Sequence, residues 1–434
     1  MKTTDRPVPT RRQFLSTSAG ATAGMASWLA LGRAPAYAQK RELTFLSWNH
    51  FVPASDDELR KQAEAFGKAN NCTVRVDTMA HLQMPAKIAA EAQSQSGHDM
   101  YRTASADPFL YENLLVSMDD IVEKVGKQGG GWYPFAAESC QTKSGWKAIP
   151  WFWVSFPGTY NMAHYKKAGL EHPPKTWDEL LKQGKILKKQ GNPVGIAISH
   201  CSDAHSTYWS VAWSYGAKVL EADGKTIAIN SPKMVEVIEY YKELYAEAME
   251  PEVLSWDDAG NNRCLNAGRC AWIHNPVSPY AVAIDKKLPI ADDINHHSTP
   301  AGPAGRFFAP NARAYGIWKF SKNIELAKDL LRFLFREDNL REWIQAGNGF
   351  NHPMWRYWEK HPVWNTDPKL RLLPAEGVFG RMRGWPASPS DVIGVIDDLY
   401  ILPDMVAKAI GGMSTKDAMA WGTDQVKRIL ATAR

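Results

Sequence analysis

The tightest constraint on the fold is an alternation of strand-like and helix-like runs early in the chain. Leu43-Thr44-Phe45-Leu46-Ser47-Trp48 is a strand candidate. Ser55-Asp56-Asp57-Glu58 reads as a helix capping box, and Leu59, Ala63 and Phe66 follow at helical spacing. Thr73-Val74-Arg75-Val76-Asp77 gives a second strand, and residues 86–95 a second helix ending at Gly97. Strand–helix–strand–helix predicts an α/β lobe with helices covering a mostly parallel sheet. Further elements follow. Thr176-Trp177-Asp178-Glu179 is another capping box, and residues 194–198 read as a buried strand leading into the polar loop 199–206. Ser231-Pro232 opens a helix, residues 270–273 and 315–318 read as strands, and Leu326, Leu330, Phe333 and Leu334 mark one face of a helix. Ser414 caps a final helix, and the Pro- and Gly-dense run 352–389 reads as connecting structure.

A removable leader precedes this pattern. Thr10-Arg11-Arg12-Gln13-Phe14-Leu15 has the form of a twin-arginine export signal, followed by a short Gly/Ala-rich apolar run and Ala36-Tyr37-Ala38 as a cleavage site. The apolar run is too short to span a bilayer. The expected location is the periplasm, reached through the twin-arginine translocase. Cleavage after Ala38 would leave 396 of the 434 residues, enough for two lobes. Lys2, Arg6, Arg11, Arg12 and Arg33 against Asp5 account for most of the formal net charge of +5. The mature chain is therefore close to neutral, which argues against a nucleic-acid partner.

The cysteines are five, so an oxidising compartment leaves at least one unpaired. Cys264 and Cys270 are spaced to close a small loop, but spacing alone leaves that pairing open. Tryptophan is the outlier, with 18 residues. Several stand in loop-like sequence, where a flat apolar face is costly unless something covers it. Sugars present apolar C–H faces ringed by hydroxyls, so this composition points toward carbohydrate or polyol ligands.

Ordered local patterns carry a resemblance. Ile149-Pro150-Trp151 leads to Tyr160-Asn161-Met162, then to Gly169-Leu170 and Pro173-Pro174-Lys175-Thr176-Trp177-Asp178-Glu179-Leu180. Ala314-Tyr315-Gly316-Ile317-Trp318-Lys319-Phe320-Ser321-Lys322 and Gly411-Gly412-Met413-Ser414-Thr415-Lys416-Asp417-Ala418 follow. With these the chain resembles the family 1, carbohydrate-type extracellular solute-binding proteins, periplasmic receptors of ABC importers typified by the maltose- and glycerol-phosphate-binding receptors. The resemblance implies a two-lobed α/β fold with three crossings between lobes, near residues 151–158, 309–314 and 375–385. It implies residues 39–152 plus 314–378 as lobe 1 and 153–313 plus 379–434 as lobe 2. The ligand would lie between the lobes, which close on it like a hinge, and the permease subunits would be the membrane partner.

In open sheets ligands sit beyond the carboxyl ends of strands, which selects specific loops. Trp48, Asn49 and His50 follow the first strand and offer a stacking ring and two hydrogen-bonding groups. Asp107, in the loop with Ser105 and Ala106, either accepts hydrogen bonds from ligand hydroxyls or caps the next helix. Trp151 and Trp153 alternate to one side, toward cleft or core. Tyr208, with His205 and Trp209, either follows a strand into the cleft or begins a buried helix. Asn275, Asn311 and Arg313 are placed at a strand end and at the second crossing. Trp355 and Trp385 are further aromatic loop candidates.

Other classes fit less well. No Gly-x-Gly-x-x-Gly, haem site, iron–sulfur cluster or Gly-x-Ser-x-Gly elbow is present, so no enzyme activity and no cofactor are expected, although paired carboxylates of a glycan-acting enzyme have no fixed spacing. His296-His297 and the His200, Cys201, His205 group lack a zinc spacing, so no metal is expected. A glycerol phosphate receptor would need converging cations, and the sequence shows only Arg313.

Overall fold

The computed structural model describes residues 41–104, 106–128 and 130–432. The leader, Ser105 and Gly129 lie outside the described residues.

Two sheets organise the chain. Their strands, in chain order, are β1 (Arg41–Trp48), β2 (Cys72–Met79), β3 (Met100–Thr103), β4 (Ile149–Val154) and β5 (Gly158–Asn161), then β6 (Val194–Gly195), β7 (Trp272–His274), β8 (Ile294–His297), β9 (Asn311–Ile317) and β10 (His352–Pro353). The first sheet runs β10-β4-β9-β3-β1-β2, and the second β8-β5-β7-β6. β1 is parallel to β2 and β3, while β9 runs antiparallel to β3 and β4. In the second sheet only β6 and β7 are parallel. Both sheets are thus mixed, because strands that return from the other sheet enter in the opposite direction. The chain passes from β4 to β5 through residues 155–157, from β8 to β9 through 298–310, and from β10 to the helix Asp391–Asp398 through 354–390.

The local signals fare unequally. Thr176 does cap the helix Trp177–Lys189: its side chain accepts from the Glu179 N–H at 3.1 Å, and Glu179 accepts from the Lys175 N–H at 2.7 Å. The Ser55 box does not cap. That helix begins at Pro53, with Val52 at its N-cap and no side-chain bond there. Ser55 sits in the first turn, and its Oγ accepts from Asn351 Nδ2 at 3.0 Å. The strand read at 194–198 shrinks to Val194–Gly195, and its continuation stays buried but irregular, Ile198 N–H bonding to Val253 O. Residues 356–379 hold a run of short 3-10 turns. Cys264 and Cys270 form a disulfide, and Cys72, Cys140 and Cys201 are buried.

Aromatic residues fill the interior. Trp318 stacks on Tyr101 with ring centroids 4.5 Å apart, and Trp209 stacks on Trp213 at 5.3 Å. Among the described residues no helix is long and apolar enough to cross a membrane.

Candidate functional site

A narrow cleft lies between the two sheets. Trp48, at the end of β1, lines it with Phe51, His81 and Phe350. β4 and β9 contribute Val154, Asn311 and Arg313. The second sheet's side contributes Ser202 and Asp203, from the helix Ser202–Tyr215, with Asp258 and Asn275.

Strand pairing sets these positions. β9 pairs Asn311 with Val154 and Arg313 with Phe152, then slips by one residue so that Ala314 meets Pro150. Trp151 is the residue left over at this irregularity, and such a slip re-aims the side chains beside it. Asn311, Arg313 and Val154 share one face, and that face forms the base of the cleft. Ala312 and Trp153 share the other and join a separate apolar cluster with Tyr133, Phe135 and Phe308.

Charge gathers here. Arg102 reaches from β3 behind Trp48, its guanidinium 5.3 Å from the indole centroid, and bonds to Met84 Sδ at 2.7 Å and His81 Nδ1 at 3.2 Å. Arg383 donates to Asp397 Oδ2 at 3.2 Å and to Asn311 Oδ1 at 3.1 Å. Arg313 is buried, and burial, with the charges of Arg102 and Arg383, pulls its pKa well down. Across the cleft, Asp203 accepts from Asn261 Nδ2 at 2.8 Å, and Asp258 Oδ1 accepts from the Asp203 N–H at 3.0 Å. Burial and the neighbouring Asp258 push the Asp203 pKa up, and burial does the same to Asp258.

The residues expected from sequence divide in two. Trp48, Asn275, Asn311 and Arg313 line the cleft. Asn275 is committed to the protein: Oδ1 accepts from Asn261 at 2.9 Å, and Nδ2 donates to Asn262 at 2.6 Å and to Pro276 O at 2.9 Å. It shapes the cleft wall rather than offering free donors. His50 lies behind Trp48, with Nδ1 accepting from the Val52 N–H at 2.9 Å and Nε2 3.0 Å from Asn351 Oδ1. Those partners assign the neutral ring, and burial lowers its pKa to about 4. Asn49 is exposed, its N–H bonded to Met79 O. Trp151 packs on Tyr315 and Trp343 in the core. Trp153 stacks on His352. Tyr208 is buried in its helix, its hydroxyl 3.0 Å from Met234 Sδ. Among the described residues no group of three His, Cys, Asp or Glu is placed to hold a metal ion.

Asp107 turns back on its own loop, Oδ2 accepting from the Ala104 N–H at 2.8 Å. Burial, then the Asp398 charge, raises its pKa to about 7 against the pull of Arg102 and Arg313. The folded state therefore holds a proton that the unfolded chain releases near pH 4. Between those values folding becomes less favourable as pH rises, by up to roughly 4 kcal/mol from this group. Asp107→Asn keeps the acceptor for Ala104 and removes the titration. Urea unfolding at pH 5 and pH 7.5 should show a smaller loss of stability on going to the higher pH in the variant than in the wild type. Parallel losses would refute the assignment.

Most of the other lining residues, His81, Asp203, Asp258 and Phe350 among them, are not among those expected from sequence. His81 lies just beyond β2, as Trp48 lies at the end of β1, so the strand-end rule reaches it once β2 is known to extend to Met79. Asp203 stood within the polar loop already marked. Asp258 precedes the helix Gly260–Asn266 and, like Phe350, had no local signal.

Comparison with known proteins fits this two-sheet architecture. Residues 53–340 match the model of the bacterial extracellular solute-binding protein family. The chain belongs to that family. A probable ABC transporter-binding protein of Deinococcus radiodurans is 26% identical over 308 residues, 67% of this chain and 71% of that protein. Maltose-bound T. maritima MalE3 superposes with a TM-score of 0.80 at 20% identity, over 89% of this chain and 99% of that one. A ribitol complex of an ABC transporter solute-binding protein from Agrobacterium radiobacter K84 gives 0.75 at 20% identity, over 90% and 98%. At these identities the solved structures establish the shared fold. As a member of the family, the protein is a solute-binding component of an ABC transporter, with a two-lobed α/β fold.

Proposed function

We propose that the protein is the solute-capturing component of an ABC importer, taking a carbohydrate or polyol between its lobes and delivering it to the permease subunits. The observation that carries this reading is one cleft with an indole on one side and Asp203, Asp258, Ser202 and Arg313 around it. An aromatic face suits the C–H side of a sugar, and carboxylates and guanidinium groups suit its hydroxyls. Its relatives lend support: similar solved proteins hold maltose, laminaribiose and ribitol. We take residues 39–152 plus 314–378 as lobe 1 and 153–313 plus 379–434 as lobe 2. The leader at residues 1–38 supports export by the twin-arginine route to the periplasm, and no catalytic role is assigned.

A thermal-shift screen of the purified protein against sugars, sugar acids, polyols, glycerol phosphate, amino acids and polyamines tests the reading. A ligand present at about 100 times its dissociation constant adds roughly 2.7 kcal/mol. Stabilisation by a member of the sugar, sugar-acid or polyol sets is the expected result. Stabilisation only by amino acids or polyamines would overturn it.

A further inference from the structure

Three arginines gather around the cleft, and the two that do not line it have protein partners. Arg102 bonds to His81 and Met84 and lies against Trp48, and Arg383 is paired with Asp397 and hydrogen-bonded to Asn311. Arg313 has no hydrogen-bond or ion-pair partner among the described residues, although it is only 6% exposed and lines the cleft. A guanidinium this far buried, with no acceptor from the protein, has lost most of its hydration, and what access it keeps is to the cleft it lines. The irregularity in β9 beside Arg313 and the flanking Asn311 fix where it points. In the same cleft, from the turn before the helix Gly260–Asn266, Asp258 Oδ2 is also buried and unpartnered.

We infer that the ligand of this cleft is a sugar or polyol bearing one carboxylate, a uronate- or aldonate-type acid, whose oxygens take the Arg313 guanidinium. The inference rests on the carbohydrate reading above. A carboxylate is planar and matches the guanidinium fork with two parallel hydrogen bonds, which a lone hydroxyl does not. Among the described residues Arg313 is the guanidinium that lines this cleft without a hydrogen-bond or ion-pair partner, and a single guanidinium calls for a single carboxylate. A phosphate brings up to two negative charges on a tetrahedral array of oxygens, which a single planar guanidinium fork neither neutralises nor matches. Asp258 Oδ2 is left for a ligand hydroxyl, so the cleft reads a carboxylate on one side and a polyol chain or ring on the other.

Matched pairs that differ only at one carbon test this: galactose with galacturonate, glucose with glucuronate, and glucitol with gluconate, with glycerol 3-phosphate as a separate arm. Calorimetric titration at constant ionic strength should give at least tenfold tighter binding for the acid member of one pair. Arg313→Met keeps the apolar stem, removes a buried charge, and should abolish that preference while circular dichroism stays unchanged. Equal or tighter binding of the neutral member, or an acid preference that survives in Arg313→Met, overturns the inference and leaves the carbohydrate reading standing. Binding of the phosphate alone also overturns it. Silence from every sugar, acid and polyol sinks the carbohydrate reading as well.

Discussion

Trp272→Ala is expected to lower folding stability by about 3–5 kcal/mol, measured as a shift of the urea unfolding midpoint. Trp272 is fully buried in β7, one of the two interior strands of the second sheet. Its ring meets Trp177 edge-on at 6.3 Å and lies parallel to His274 at 6.1 Å. Its Nε1–H donates to His297 Nε2 at 2.7 Å. The donor requires that nitrogen to be unprotonated, and burial holds the His297 pKa down at about 3. β5 is cut to fit this pair: a Cβ added to Gly158 would stand 2.0 Å from His297 Nε2. Truncation to alanine opens a cavity and strands a buried acceptor, and neighbours fixed by two sheet pairings cannot collapse into the space. Trp272→Phe keeps most of the volume, loses the hydrogen bond and should cost less, about 1–3 kcal/mol. A loss below about 1 kcal/mol for the alanine variant would show that the sheet does not depend on this ring. Because β7 runs straight into Asn275, the same packing holds one wall of the cleft.

What the sequence revealed depended on how local each determinant is. Thr176 and Glu179 act within one turn, so their spacing was enough to identify the cap. Ser55 fits the same pattern, yet its hydroxyl is claimed by Asn351, 296 residues away, and Pro53 starts the helix earlier. The strand-end rule reaches Trp48 because β1 is strongly apolar, whereas β2 alternates and continues past the expected end at Asp77 to Met79, with His81 beyond it. Asn275 lines the cleft, but no pattern in sequence shows that Asn261 and Asn262 consume its hydrogen bonds. The arginine cluster was least visible. Arg102, Arg313 and Arg383 come from three separate stretches, and only the fold buries Arg313 and brings the other two charges close enough to lower its pKa further. Trp151 and Trp153 alternate toward one side in an ideal strand, and the slipped register opposite Arg313 sends them into different apolar clusters.

Trp48→Ala should weaken binding of the tightest ligand from the screen at least tenfold, about 1.4 kcal/mol or more. The indole is only 5% exposed, and what remains open faces the cleft. It is held from behind: His50 lies 4.9 Å away, Phe51 packs edge-on at 5.2 Å, and His81 at 5.8 Å. A ring locked in this way gives its apolar area to a ligand with little loss of side-chain freedom. Arg102 behind it adds a second consequence. Without the indole, that guanidinium is exposed to the cleft beside Arg313, so the variant offers charge where a sugar needs an apolar face. Trp48→Phe retains an aromatic face and should recover part of the affinity, which separates loss of stacking from a general loosening of the lobe. The measurement is calorimetric titration of both variants alongside their urea midpoints. Unchanged affinity in a folded Trp48→Ala protein would assign the ring to the core alone, and the ligand would then be held by the polar wall and Arg313.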